Sequence, residues 1–198
     1  MTKRVCVYCG SGVGGREGYA EAARTLGRAL VERGIGLVFG GGRIGMMGVL
    51  AETVLAGGGE AIGVIPKDLL DRGLGLTGLT SLRVVETMHA RKALMAELAD
   101  AFIAMPGGFG TVEEFFEALT WAQLGLHTKP CGLLNVHGYF DHLIRFVDHA
   151  VHEQFIDSAN RGLMLVDDSP AALLDKLDSW KPPVVDKAAW ATRLMKGD

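Results

Sequence analysis

The 198-residue sequence predicts a single α/β domain built on a doubly wound parallel sheet with helices on both faces. Short runs that are apolar throughout alternate with longer segments whose apolar residues recur at helical spacing. Glycine clusters follow several of these runs, at points where a strand would turn into a helix. Strands without a polar face need cover on both sides, which is typical of parallel sheets. The expected architecture is therefore a three-layer, Rossmann-like sandwich.

The first half of the chain supplies four of the strands. The β-branched run at 5–9 ends at Gly10, and the helix that begins near Tyr19 is stopped by Gly34. Pro66 ends the third strand, and the Gly/Leu-rich residues 67–80 are predicted as a flap or loop. The predicted strands are 5–9, 36–39, 60–65 and 82–85, and the later helices are 46–56 and 87–98.

The second half continues the same alternation. The predicted strands are 101–105, 131–136 and 163–166, and the predicted helices are 111–124, 139–154 and 170–177. We assign residues 1–180 to a nucleotide-binding catalytic domain. Residues 181–198 contain two adjacent prolines and a short amphipathic piece, and we predict that they form a peripheral C-terminal tail.

Composition and charge exclude several classes of protein. Hydrophobic residues make up 48% and charged residues 22%, which is ordinary for a globular domain. A net charge of −3 gives no reason to expect a nucleic-acid or membrane-surface partner. No apolar run approaches the roughly 18 residues of a membrane helix, and the N-terminus lacks a signal-peptide pattern. We expect a cytoplasmic protein.

Cysteine and histidine spacing predicts no metal site. The cysteines are odd in number, and Cys6 and Cys9 fall on opposite faces of the first strand, so we expect buried, inert thiols. His142, His149 and His152 share a polar helix face that we interpret as solvated.

Glycine-rich segments at 10–15, 40–48 and 107–110 each lie where a strand ends and a helix begins, so all three should open onto one edge of the sheet. The last is the most specific. Pro106-Gly107-Gly108-Phe109-Gly110 leads directly into a helix starting near Thr111. Backbone N–H groups of such a loop, added to the helix dipole, bind anions. The segment matches neither the Walker loop nor the dinucleotide fingerprint.

A purely structural interpretation of the same segment exists. Thr111-x-x-Glu114 is a capping box, with Thr111 as N-cap and Glu114 reaching back to it. Two features weigh against a cap alone, namely the glycine-rich entry and the adjacent carboxylates of Glu113 and Glu114 in the first turn. Both carboxylates fall outside the apolar face of that helix, toward the sheet edge or solvent.

Another polar cluster, Met88-His89-Ala90-Arg91-Lys92, opens the helix after the fourth strand. Arg91 shares a face with the apolar residues three, four and seven positions later, so its guanidinium needs an anionic partner. Lys92 fits a surface lysine as well as a site residue. We interpret His89 as solvated or capping, and the methionines as core residues, some of which would rim the sheet edge.

Together these motifs resemble the Lonely Guy family, cytokinin-activating nucleoside 5′-monophosphate phosphoribohydrolases once mislabelled lysine decarboxylases. The resemblance runs from Tyr8-Cys9-Gly10-Ser11 to Lys129-Pro130-Cys131-Gly132-Leu133-Leu134-Asn135. Its core is the Arg91-Lys92 pair followed by the P-G-G-x-G-T-x-x-E pattern that starts at Pro106.

The resemblance implies hydrolysis of the N-glycosidic bond of an adenosine 5′-monophosphate, N6-modified or not. Arg91 and Glu114 would be the catalytic pair, and the loop from Gly108 to Thr111 would hold the phosphate. No cofactor or metal is expected, and a homodimer is implied. The predicted substrate-binding set is Ser11, Gly41, Gly42, Met88, Arg91, Lys92, Gly107, Gly108, Phe109, Gly110, Thr111, Glu113 and Glu114.

Two positions depart from the family pattern. Gly12 replaces a serine in the Cys-Gly-Ser-Ser loop, and Gly73 stands where many members carry an acidic residue, so base or sugar selectivity can differ here. Arg91 either neutralises phosphate or orients Glu114, and the sequence favours neither role.

The alternative function is a nucleotide or cofactor carrier on the same fold, without turnover. Lysine decarboxylation is rejected, because no lysine is singled out for a pyridoxal Schiff base.

Overall fold

The computed structural model describes residues 2–183, and all seven of its strands join one parallel sheet in the order β4-β3-β2-β1-β5-β6-β7. The predicted parallel α/β fold is confirmed. The strands are β1 (Arg4–Tyr8), β2 (Gly36–Phe39), β3 (Ala61–Pro66), β4 (Ser81–Val85), β5 (Ala101–Ala104), β6 (Cys131–Leu134) and β7 (Met164–Asp167).

Eight helices accompany the sheet in the described part of the chain, and they cover both of its faces. They are α1 (Glu17–Glu32), α2 (Gly45–Ala56), α3 (Lys67–Asp71), α4 (Met88–Leu98), α5 (Phe109–Leu124), α6 (Asp141–His152), α7 (Ser158–Arg161) and α8 (Pro170–Ser179). Helices α1, α2 and α8 share one apolar cluster with the sheet, and α4, α5 and α6 share the other. None of the helices within residues 2–183 has the length and apolar character needed to cross a bilayer.

The two clusters explain why the central strands lack a polar face. On β1, Val5 and Val7 point into the α1/α2/α8 cluster, and Cys6 and Tyr8 point into the α4/α5/α6 cluster. All four are buried, and period-two alternation sends successive side chains to opposite sides of the sheet. Burial of an apolar side chain on either side stabilises the fold by about 1.5–3 kcal/mol, so both faces select hydrophobic residues.

The cysteines behave as buried apolar residues. Cys6, Cys9 and Cys131 are free, and Cys6 and Cys9 lie in different clusters, as their spacing predicts. Burial raises the pKa of Cys9 and of Cys131 to about 12 and raises that of Cys6 still further, so none is a reactive thiolate at neutral pH. Within residues 2–183, no group of three or more His, Cys, Asp or Glu residues is placed to hold a metal ion.

The order of the strands reverses between β1 and β5, which pair in parallel at the centre of the sheet. Connections from β1 run toward β2 on one side, while β5 leads to β6 on the other. The loops that leave β1 and β5 therefore separate to opposite faces and leave a crevice between them, where doubly wound sheets bind ligands. These loops are the glycine-rich segments 10–15 and 106–110.

Three details differ from the sequence prediction. The segment 67–80 is only partly loop, because α3 occupies its start and Gly42 and Gly75 form a β-bridge. The helix expected at 139–154 begins at Asp141, since a 3-10 turn over Val136–Gly138 precedes it. Helix α7 is too short for its periodicity to be recognised. The amphipathic piece predicted in the tail lies outside the described residues.

Candidate active site

Two cavities open at the carboxyl edge of the sheet, and residues of the loops after β1 and β5 line both of them. The larger, which we call the catalytic cavity, has a volume of about 360 Å³ and is bordered by α4, α5 and the loop after β2. The second, the switch-point cavity, has a volume of about 340 Å³ and lies between the loops after β1 and β5. Gly10, Ser11 and Gly108 line both cavities.

Helix α5 begins at Phe109, two residues earlier than predicted, and this corrects the capping box. The N-cap is Gly108, which is extended and has no side chain to cap with, so Thr111 lies inside the first turn. Glu113 and Glu114 therefore fall in the second turn, and Glu114 bonds to Arg91 instead of reaching back to an N-cap. Glycine is a favoured N-cap residue, so Gly108 can start the helix ahead of Thr111, and it has no side chain to accept the N–H groups of the first turn.

The start of α5 consequently presents backbone donors to the catalytic cavity. The first helical hydrogen bond runs from the Val112 N–H to the Gly108 carbonyl, which leaves the N–H groups of Phe109, Gly110 and Thr111 without helical partners. Gly108, Phe109, Gly110 and Thr111 all line the cavity. Free N–H groups at the positive end of a helix dipole form an anion site.

Close approach of two loops requires glycine at position 107. A Cβ there would overlap the Thr111 hydroxyl and would come within 2.8 Å of the Gly10 nitrogen. The Gly10 N–H donates to the Pro106 carbonyl at 3.0 Å, which ties the loop after β1 to the loop after β5. A side chain at Gly107 would therefore push these loops apart at the point where both cavities meet.

The Arg91 guanidinium is held in place by three groups, from β3, from α5 and from the loop after β2. Its Nε donates to the Val64 carbonyl at 3.1 Å, one Nη donates to the Gly40 carbonyl at 3.1 Å, and the other donates to the Glu114 carboxylate at 3.2 Å. The side chain is 10% exposed and lines the catalytic cavity. A buried guanidinium with this many partners is fixed in orientation.

Glu114 is a buried carboxylate at the cavity wall. Its side chain is 11% exposed, and burial raises its pKa, an effect that the nearby Arg91 charge opposes. A carboxylate with a raised pKa is a stronger proton acceptor than an exposed one. Raised pKa values of this origin, at a cavity, are typical of functional sites.

Lys92, the residue after Arg91 in α4, forms a separate ion cluster with carboxylates of α5. Its ammonium donates to Glu113 and, at 3.0 Å, to Glu117, and together these bonds link α4 to α5. The hydrogen bond that Lys92 donates to Glu113 raises the pKa of Lys92, although burial acts against it. Lys92 is 11% exposed, so it is a largely buried cation and not a surface lysine.

Most of the predicted site residues line the catalytic cavity, while Gly107 lines the switch-point cavity. Gly41 and Lys92 line neither of the two cavities in the described part of the chain. Gly41 has a left-handed φ of 72°, and its carbonyl accepts the Leu76 N–H, so it anchors the flap. The predicted residues on the catalytic cavity are Ser11, Gly42, Met88, Arg91, Gly108, Phe109, Gly110, Thr111, Glu113 and Glu114.

Sequence reasoning missed Gly40 and the apolar wall. A Cβ at Gly40 would overlap the Arg91 guanidinium, so glycine is required for Arg91 to reach the Gly40 carbonyl. The signal was present, since Gly40 is the first of three consecutive glycines after a strand. The apolar wall of the catalytic cavity has no sequence signature, because its members come from four separate segments: Ile44, Met47, Ile65, Leu69 and Leu74.

A family profile described as "Possible lysine decarboxylase" matches residues 47–177. A "Probable cytokinin riboside 5′-monophosphate phosphoribohydrolase" from Oryza sativa subsp. japonica is 50% identical, with 94% of this chain and 76% of the relative aligned. A cytokinin riboside 5′-monophosphate phosphoribohydrolase from Arabidopsis thaliana is 48% identical over 95% of this chain and 90% of its own length. The chain belongs to the Lonely Guy family. The resemblance given by its motifs is confirmed.

Solved structures similar to this member of the Lonely Guy family include carrier proteins. The molybdenum cofactor binding protein from Rippkaea orientalis superposes with a TM-score of 0.67 at 21% identity, covering 90% of this chain and 97% of that one. The molybdenum cofactor carrier protein from Chlamydomonas reinhardtii gives 0.68 at 22% identity, covering 91% and 100%. At this identity the likeness shows a shared Rossmann-like fold and nothing about activity.

Proposed function

We propose that this chain hydrolyses the N-glycosidic bond of adenosine 5′-monophosphates, including N6-modified ones, and releases the free base and ribose 5-phosphate. The observation that carries the proposal is the buried Arg91–Glu114 pair on the wall of a cavity that also presents the N-terminus of α5. Relatives at 46–50% identity named as cytokinin riboside 5′-monophosphate phosphoribohydrolases support it.

The phosphate is assigned to the first turn of α5. Three N–H groups without helical partners and the Thr111 side chain, which is 4% exposed, converge on this part of the cavity. A charge-assisted hydrogen bond is worth about 1.5–3 kcal/mol, so several together distinguish a nucleotide from its nucleoside. The cavity volume of about 360 Å³ suits a small ligand of this class.

Glu114 is assigned as the group that acts on the scissile bond. Cleavage of an N-glycosidic bond passes through a sugar with oxocarbenium character, which a nearby carboxylate stabilises, and a carboxylate can also accept a proton from the attacking water. Both roles need the ionised form. Arg91 favours that form and fixes its direction, while two backbone carbonyls fix Arg91 in turn.

This arrangement favours one of the two roles considered for Arg91. Its Nε and one N–H from each terminal nitrogen are already directed to Val64, Glu114 and Gly40. We infer that Arg91 chiefly orients Glu114, and that phosphate is bound by the backbone of α5. The apolar wall across the cavity, which includes Met47 and Leu74, then faces the base.

The residues do not fit a pyridoxal-dependent decarboxylase, despite the description of the family profile. A Schiff base needs a neutral amine with access to the cavity. Lys92, the lysine that the resemblance brings to the site, donates to Glu113 and Glu117 and has a raised pKa. Deprotonating it would leave two carboxylates without their partner, so no step is assigned to such a cofactor.

A carrier without turnover is the second candidate, and the fold it shares with the molybdenum cofactor carriers is what favours it. Binding a phosphate gains nothing from a buried carboxylate in the same cavity, because like charges repel. The presence of Glu114 in the cavity therefore favours a hydrolase over a carrier.

A cytoplasmic homodimer completes the proposal. Phe109 is 97% exposed and Met88 is 44% exposed, and both line the catalytic cavity, which suits an apolar surface covered by a second copy. Light scattering of the purified protein should give twice the mass of the chain, and a monomer would remove this part of the proposal.

The proposal is tested by comparing AMP with adenosine. We expect kcat/KM for ribose 5-phosphate release from AMP to exceed that for ribose release from adenosine by roughly 100-fold or more, given several phosphate contacts. A panel of N6-modified monophosphates assayed in parallel reports the base preference. Equal kcat/KM for AMP and adenosine would reduce the α5 loop to a structural turn.

A further inference from the structure

The switch-point cavity carries an aromatic side chain that the proposed reaction leaves without a role. Tyr139 and Tyr19 line this cavity together with glycines from the loops after β1 and β5. The two rings meet edge to face, with centroids 5.7 Å apart. Tyr139 also donates a hydrogen bond from its hydroxyl to the Gly107 carbonyl at 2.6 Å, across 32 positions of sequence.

The turn that carries Tyr139 is built to hold it in one position. His137 has φ 53° and the next residue, Gly138, has φ 70°, so two consecutive residues adopt the left-handed conformation. A non-glycine residue held there is strained, and surrounding contacts must maintain it. Asn135 supplies such contacts, because its side chain accepts the Phe140 N–H and donates to Asp141.

The Gly107 carbonyl is the point through which Tyr139 reaches the anion loop. A peptide bond is planar, and its C=O and N–H point in opposite directions. Fixing the Gly107 oxygen on Tyr139 therefore also fixes the direction of the Gly108 N–H. The preceding peptide is fixed in the same way, since the Pro106 carbonyl accepts the Gly10 N–H. Glycine has the widest backbone freedom of any residue, so these two peptides would otherwise sample many orientations.

We propose that Tyr139 is a positioning residue for phosphate binding, and that its hydroxyl holds the Gly107–Gly108 peptide in the orientation that presents the N-terminus of α5 to an anion. This rests on the proposed function only in that the loop binds the phosphate of the substrate. Pre-ordered donors bind an anion more tightly because less backbone freedom is lost on binding. Tyr139 touches the loop through Gly107 and takes no part in bond cleavage.

Tyr139→Phe removes the hydroxyl and keeps the ring and its packing, so the fold should be retained. The matched control is Tyr19→Phe, because Tyr19 lines the same cavity and its hydroxyl makes no hydrogen bond within residues 2–183. The measurement is the Kd of each protein for ribose 5-phosphate and for ribose by calorimetry. This readout involves no turnover, and ribose reports any general damage to the cavity.

We expect Tyr139→Phe to weaken ribose 5-phosphate binding by about three- to ten-fold, the range of one lost hydrogen bond, with ribose binding unchanged. In kinetics with AMP, KM should rise by a similar factor and kcat should stay near that of wild type, since the lost interaction serves substrate and transition state alike. Tyr19→Phe should match wild type in every readout.

Three results would overturn the inference, and they are distinguishable. If wild type prefers ribose 5-phosphate to ribose and Tyr139→Phe keeps that preference in full, the loop binds phosphate without help from Tyr139. If wild type itself shows no preference, the anion site assigned to α5 is absent, and the proposed function fails with it. Equal loss of ribose and ribose 5-phosphate binding in Tyr139→Phe would mark a structural defect and would also overturn the inference.

Discussion

Two arginine–glutamate pairs lie at opposite edges of the same sheet. One pair is exposed and the other is largely buried, and the pKa values of their carboxyl groups shift in opposite directions. Arg4, at the start of β1, donates two hydrogen bonds of 2.7 and 2.9 Å to the carboxylate of Glu60, just before β3. Both side chains are more than a third exposed. Arg91 and Glu114 lie at the carboxyl edge, about one tenth exposed, with one bond of 3.2 Å. The tighter pair is the one away from both cavities.

The pKa values of the two carboxyls move in opposite directions for a physical reason. The hydrogen bond from Arg4 lowers the pKa of Glu60 and outweighs burial, which acts in the opposite direction. Burial raises the pKa of Glu114 in spite of the Arg91 charge. The same two residue types therefore form a surface ion pair at one edge and leave a stronger proton acceptor at the other, where parallel sheets bind ligands.

The largest difference expected between the two pairs is in turnover when the glutamate of each pair is replaced. Glu114→Gln keeps the shape of the side chain and loses its charge, so kcat for AMP should fall by roughly 100-fold or more, as expected for loss of a general base. Binding of AMP should stay within a few-fold of wild type. Glu60→Gln, the matched change at the other edge, should leave kcat unaltered, and steady-state kinetics on both variants give the comparison. Full activity in Glu114→Gln would return this residue to a structural role.

A second, smaller effect comes from glycines beside each pair. The added methyl group in Gly40→Ala would overlap the Arg91 guanidinium, while that in Gly36→Ala would press on the Arg4–Glu60 pair. Displacing the group that orients Glu114 should lower kcat/KM by roughly 10- to 100-fold, since small misplacements of catalytic groups have effects of this size. Gly36→Ala should change only thermal stability. Similar kinetics in the two variants would show that the position of Arg91 is immaterial.

The fold was more predictable from sequence than the site. Apolar runs such as 5–9 and 101–105 reveal buried parallel strands, and the glycines after them mark the ligand-binding edge. The start of α5 was misplaced because Thr111-x-x-Glu114 matches a capping box, whereas the Gly108 conformation starts the helix earlier. Helical spacing indicated that Arg91 needs an anionic partner, but the two backbone carbonyls that fix its position come from distant segments and have no local signature.

The lining of the catalytic cavity also could not be predicted from local sequence patterns. Gly40 could have been recognised beside Gly41 and Gly42, but its role depends on a guanidinium 51 positions away. The flap over the cavity is joined to the loop after β2 by the Gly42–Gly75 bridge, a single long-range pairing without periodicity. Contacts between distant segments decide which glycine lines the cavity and which supports it.

Titration of the two carboxyls tests the electrostatic part of the comparison directly. With ¹³C-labelled glutamate, the Glu114 carboxyl resonance, assigned by its loss in Glu114→Gln, should titrate above the ordinary value of 4.5. The Glu60 resonance, assigned in the same way, should titrate below 4.5. If both carboxyls titrate together, burial does not distinguish the two edges of the sheet.

The smallest effect concerns stability. Because the pKa of Glu60 is lowered in the folded state, its ion pair stabilises the protein above the pKa of the unfolded chain and is lost as pH falls through the folded value. At neutral pH Glu60→Gln should lower the free energy of unfolding by less than about 1 kcal/mol, since the pair is exposed. Urea unfolding at pH 7 and in acid measures this, and a difference that persists in acid would rule out the ion pair as its source.

The central claim, hydrolysis by a site built around Glu114, is tested most directly by single-turnover analysis. Wild type and Glu114→Gln are each mixed in molar excess with AMP, and the nucleotide, free base and ribose 5-phosphate are quantified after quenching. Wild type should convert all of the AMP to equal amounts of base and ribose 5-phosphate, while Glu114→Gln binds AMP and returns it intact over the same interval. Intact AMP recovered from its complex with wild type would contradict the account and would identify the protein as a carrier.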